Sequence, residues 1–99
     1  MTVVTVVHHR VDDYDAWKKV YDDFETPQRE KGVRWHGVYR SRTDQHMVVV
    51  AHTFDSQEVA EQFFSDPQLG DAMMRAGVDM GSVQIEYLDE IASGHLSQS

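Results

Sequence analysis

Three histidines stand inside apolar stretches: His9 in VVHHRV, His36 in VRWHGVYR and His52 in HMVVVAHTF. Imidazole changes charge near neutral pH, and burial or a neighbour tunes it further, so such a group suits proton abstraction. Three neutral imidazoles around an open position would equally suit zinc, copper or iron. The sequence has no local HxH or HxxxH spacing, so only the fold can bring the three together. Arg34, two residues before His36, is a candidate for holding or stabilising an anion. The structural alternative for each histidine is a core residue bonded to a backbone carbonyl.

The chain that must position them has 99 residues, enough for one domain. A net charge of −8 argues against nucleic acid or an anionic membrane as partner. With no cysteine there is no disulfide framework and no thiolate metal site. No apolar run is long enough to span a membrane, and MTVVTVVHHR lacks the pattern of a signal peptide, so a cytoplasmic protein is expected.

Residues 2–11 are rich in β-branched side chains and predict a first strand. Asp12 or Asp13 can cap the following helix, in which Tyr14, Trp17, Val20, Tyr21 and Phe24 form one apolar stripe. Pro27 is expected to end or kink it, with a further turn possible before Gly32. Strands over 33–40 and 46–54 flank the polar turn SRTDQ and form an antiparallel hairpin. Asp55 with Glu58 resembles a capping box for a second helix, and Pro67 opens a short helix ending near Gly77. Residues 82–91 alternate and predict the last strand; the domain is expected over 1–91, with a disordered tail over 92–99. The order β-α-β-β-α-β predicts a ferredoxin-like α+β fold, with a four-stranded antiparallel sheet of order 4-1-3-2 and both helices on one face. The bare face is most simply covered by a second copy of the chain, giving a homodimeric α+β barrel.

HRVDDYDAWKKVYDD, GVRWHGVYR and TFDSQEVAEQFFSDPQLGDAMMRAGV resemble the dimeric α+β barrel superfamily. It includes antibiotic-biosynthesis monooxygenases, small polyketide cyclases, muconolactone isomerase-like enzymes and heme-degrading monooxygenases. The resemblance covers residues 3–90 and implies the fold and a homodimer; one fold hosts many chemistries. The heme-degrading branch carries an Asn on the first strand, a Trp ending the third and a His on the second helical segment. Val7, Phe54 and Ala72 or Met73 stand there in this chain, so heme is not expected. The same relatives imply that Val7 and Phe54 point into a pocket between sheet and helices.

If so, alternation brings His9 with Val7 and His52 with Phe54 to the helix side. A five-residue hairpin loop pairs Arg40 with His46, Val38 with Val48, His36 with Val50 and Arg34 with His52, which places His36 on that side too. With the first and third strands taken as parallel neighbours, the three imidazoles are expected at one end of the sheet. Tyr14, Trp17, Tyr21, Phe54, Phe63 and Met73 would wall the pocket. Val4, Val6, Trp35, Gly37, Tyr39, Met47, Val49 and Ala51 would fill the dimer face. His8 is expected on that side, and His46 and His95 in solvent.

Three readings follow. In the first, a cofactor-independent enzyme of monooxygenase or cyclase/isomerase type deprotonates a small phenolic, polyketide-like or lactone substrate. His9 or His52 would be the base, and His36 or Arg34 would stabilise the anion. In the second, His9, His36 and His52 bind a transition metal. In the third, a dimer binds a small ligand without catalysis; a filled pocket with hydrogen-bonded histidines would favour it.

Overall fold

The computed structural model describes residues 1–96. Asp13 starts the first helix: its Oδ1 accepts from the amides of Asp15 at 2.9 Å and Ala16 at 3.2 Å. The helix breaks at Phe24, earlier than the proline suggests. Pro27 offers no N–H to the carbonyl four residues back, that of Asp23, and its ring would collide there. Pro27 itself lies in the first turn of a second, short helix. The second crossover is also divided. Ser56 caps its first half, accepting from the amide of Val59 at 3.2 Å, so the cap falls one residue after the expected Asp55 and Val59 stands where a capping box needs Glu or Gln. Asp66 caps the second half, with Pro67 in the first turn as expected.

The elements are β1 (Val3–Val11), α1 (Tyr14–Asp23), α2 (Glu25–Glu30), β2 (Trp35–Arg40), β3 (Met47–Phe54), α3 (Gln57–Phe64), α4 (Pro67–Arg75) and β4 (Val78–Asp89). The sheet order is β2-β3-β1-β4, the expected 4-1-3-2 read from the other edge, and every neighbouring pair is antiparallel. This is the ferredoxin-like α+β fold, with each crossover made of two helices. Residues 92–96 carry neither helix nor strand, and the rest of the expected 92–99 tail lies outside the described residues.

Two expectations are corrected. β1 and β3 run antiparallel, with Val3 opposite Phe54 and Arg10 opposite Met47. The crossover makes β1 and β2 codirectional, and the hairpin then reverses β3, so a parallel β1–β3 pair is impossible in this topology. The hairpin register is also shifted by two residues: Arg40 faces Val48, Val38 faces Val50 and His36 faces His52. The polar turn takes up the extra residues by bonding to itself. Ser41 Oγ accepts from the amides of Thr43 and Asp44, and Asp44 Oδ1 accepts from the amide of His46. A shift of two preserves the faces and changes only the partners.

β4 starts four residues before the expected Ser82. Its ladder with β1 is interrupted between His8 and Arg10, where Ser82 Oγ accepts from the amide of Arg10 at 2.9 Å and donates to the Asp79 carbonyl at 2.6 Å. The core lies between sheet and helices, in one group around Trp17, Val48 and Val50 and another around Phe54, Ala60 and Phe63. The opposite face is apolar and open: Trp35, Tyr39 and Leu88 are 51%, 53% and 41% exposed, beside half-buried Val4, Val6, Met47, Val49 and Ala51.

Gly32 ends α2 with φ near 100°, and a Cβ there would stand 2.5 Å from Val59 Cγ1. Gly32→Ala is therefore expected to lower unfolding free energy by roughly 1–3 kcal/mol, read as a fall in urea midpoint.

Candidate functional site

The strand alternation of β1 sends Val3, Thr5, Val7, His9 and Val11 to the helix side; β3 sends Val48, Val50, His52 and Phe54. Between these strands and α3–α4 lies a pocket of about 180 Å³. Val7 and Val50, directly paired, lie on its floor with His9 and His52. Phe63 and Met73 cover it from α3 and α4, and Met80 and Ile85 border it from β4. Among the described residues, no carboxylate, lysine or arginine lines it.

His9 and His52 are 3% and 5% exposed. Nδ1 of each is sealed from solvent and lacks a hydrogen-bond partner among the described residues. Burial lowers the pKa of both. That of His52 falls to about 4, with the charges of His36 and His9 adding to burial. For His9, burial outweighs a raising contribution from the Val7 backbone, and His8 adds to the lowering. Near neutral pH both rings are therefore uncharged.

The antiparallel register separates what the sequence placed together. His52 is opposite Thr5 and His9 is opposite Val48, four residues further along β1. At about 3.3 Å per residue this is roughly 13 Å along the strand. His36 is directly opposite His52 yet exposed; its Nδ1 lies 2.8 Å from Tyr21 Oη. Burial pushes the Tyr21 phenol up to about 12, so it remains protonated and able to donate to that imidazole. The expected three-imidazole centre is not assembled: among the described residues no three His, Cys, Asp or Glu side chains stand where they could hold one metal ion.

Arg34 is also elsewhere. The two-residue shift removes it from His52, and its guanidinium is bonded to Asp55 at 2.9 and 3.2 Å on the surface. With His36 it borders a separate open cleft beside α2. Of the expected pocket walls, Phe63 and Met73 line the pocket. Phe54 is fully buried behind His52, ring centroids 6.0 Å apart. Tyr14, Trp17 and Tyr21 form an aromatic row along α1: Trp17 stacks on Tyr21 at 5.0 Å and packs against His9 at 5.5 Å. The row fills the space between α1 and the sheet, so it supports the histidine rings from behind. Arg40 caps it, 4.6 Å above the Tyr14 ring.

One residue escaped the sequence reading. Thr5 is opposite His52, fully buried, with Oγ1 sealed and unpartnered among the described residues. The available signal was a lone hydroxyl among valines on the helix-facing parity of the first strand.

No protein-family model matches the chain. In sequence it is similar to tektin bundle-interacting protein 1 of Mus musculus, 36% identical over 70 residues, covering 71% of this chain and 32% of that protein. The chain thus spans about a third of that relative's length. In structure it is similar to a candidate antibiotic biosynthesis monooxygenase from Caulobacter crescentus CB15, with TM-score 0.75 and 18% identity over 92% of this chain and 91% of that one. A second such candidate, from Deinococcus radiodurans, has TM-score 0.73 and 10% identity over 97% and 99% of the two chains. SnoaB, a cofactor-independent oxygenase from Streptomyces nogalater, has TM-score 0.69 and 13% identity over 98% of each chain. The fold is therefore that of the antibiotic-biosynthesis-monooxygenase-like proteins, at identities that carry the fold alone. No helix among the described residues is long and apolar enough to cross a membrane.

Proposed function

We propose that the chain is a cofactor-independent oxygenase of a small, uncharged phenol, with His52 as the base. The carrying observation is the pair of buried, uncharged imidazoles on the floor of an apolar pocket. A filled core with satisfied histidines would have favoured simple ligand storage or a vestigial site. The oxygenase reading also accords with the name of SnoaB, whose fold is similar.

The pocket volume sets the substrate size. A cavity of roughly 150 Å³ holds benzene, so about 180 Å³ suits one ring. The absence of a charged wall favours a neutral molecule. His52 takes the phenolic proton as negative charge passes to the ring, and returns it to the peroxide that forms. O2, itself apolar, enters the same space and adds at the ring carbon para to the oxygen. The hydroperoxide then loses water to leave a quinone. Substrate and O2 are consumed one to one, and the substrate supplies the electrons. His9, at the far end of the floor, packs against the opposite edge of the ring. An anaerobic titration with one-ring phenols, followed by side-chain 15N NMR, tests the first step. Binding that shifts the His52 Nε2 resonance through a hydrogen bond from the phenol is expected; saturable binding that leaves Nε2 unchanged would exclude it as the base.

The active form in this reading is a homodimer joined through the bare sheet face. Val49→Glu, at the middle of that face, is expected to give a monomer in sedimentation velocity where the parent chain is a dimer. A parent chain that sediments as a monomer at micromolar concentration contradicts the dimer.

A further inference from the structure

Thr5 and His52 are directly opposed in the β1–β3 ladder and share the helix-facing side. Each carries a sealed polar atom without a partner, Oγ1 of Thr5 and Nδ1 of His52. Cβ atoms of opposed residues lie about 5 Å apart, within the reach of a threonine hydroxyl and an imidazole nitrogen. Two orphaned polar groups side by side in an apolar core are each costly, and one hydrogen bond satisfies both. The base role needs the same bond in one sense only. Nδ1 must carry the proton and donate, which leaves the Nε2 lone pair for the substrate.

We infer that Thr5 is the positioning residue of His52: its Oγ1 accepts a hydrogen bond from Nδ1–H and holds the tautomer in which Nε2 is the base. The inference rests on His52 as the pocket's base, but its tautomer can be read without turnover. Thr5 contributes shape as well as a hydroxyl, so Thr5→Val preserves the side-chain outline and β preference while removing the bond. Thr5→Ser keeps the hydroxyl and loses the methyl.

The test is side-chain 15N NMR of the full chain at neutral pH, with melting temperature and the pH profile of kcat measured on the same variants. The parent chain is expected to show neutral His52 protonated at Nδ1. Thr5→Val is expected to move the proton toward Nε2 and lower kcat about tenfold or more with KM little changed. Thr5→Ser should restore both the tautomer and kcat. An Nε2-protonated parent overturns the inference. So does a Thr5→Val variant with unchanged tautomer and raised melting temperature, the signature of removing an orphaned hydroxyl. If Thr5→Val shifts the tautomer while His52→Gln retains full turnover, the Thr5–His52 contact stands and the base assignment fails. A tautomer indifferent to Thr5, in a protein that His52→Gln inactivates, overturns the contact alone.

Discussion

Between pH 6.5 and about 4 the folded chain is expected to lose roughly 3 kcal/mol of stability through His52 alone. The imidazole has its ordinary value of 6.5 when unfolded and about 4 when folded. In that window the unfolded chain binds the extra proton, so stability falls as pH falls. It is complete above the unfolded value and levels off below the folded one. His9, also lowered by burial, adds a loss in the same direction. Asp44, Asp55 and Asp66 are held below their ordinary 3.8 by hydrogen bonds to Arg10, Arg34 and Lys31, so their own losses come at lower pH. Urea midpoints across the window measure the effect. His52→Leu is expected to flatten the curve whatever it does to stability at neutral pH; an equally steep curve in that variant would place the acid sensitivity elsewhere.

The second large effect is on turnover. His52→Gln keeps a polar side chain of similar reach but cannot take a proton. It is expected to lower kcat by about 10²–10⁴ with little change in KM. His9→Gln should weaken substrate binding more than chemistry, because His9 is at the far end of the floor. The pH profile links this prediction to the first. His52 must be uncharged to act, so kcat/KM should hold as pH drops through 6 and fall as it approaches about 4, where unfolding also begins. A profile that falls through the ordinary imidazole range would exclude His52 as the base.

The contrast between faces and partners explains how much of this was legible in the sequence. The resemblance sets Val7 and Phe54 on the helix side, alternation and the five-residue loop then bring His9, His36 and His52 there, and any even error in register preserves that result. It therefore survived a two-residue slip in the hairpin, set by Ser41 and Asp44 bonding within the turn. Strand direction has no such protection. Once β1 and β3 are antiparallel, His9 and His52 part by four residues along the sheet, and the three-histidine centre disappears. The helix starts show the same limit: Asp55 and Ser56 are both good caps, and the fold uses Ser56 while Asp55 pairs with Arg34. Thr5 was hidden for another reason. A threonine among valines is ordinary for a strand, and only its pairing with His52 makes the hydroxyl conspicuous.

Oxygen uptake tests the central claim most directly. Purified protein would be supplied with uncharged one-ring phenols in the absence of added metal or cofactor, under 18O2. The account predicts one O2 consumed per phenol, with one labelled atom in the quinone and the other in water, and loss of the activity in His52→Gln. Turnover without O2, or quinone carrying oxygen from water, would contradict it and assign the pocket to a proton-transfer reaction of another kind.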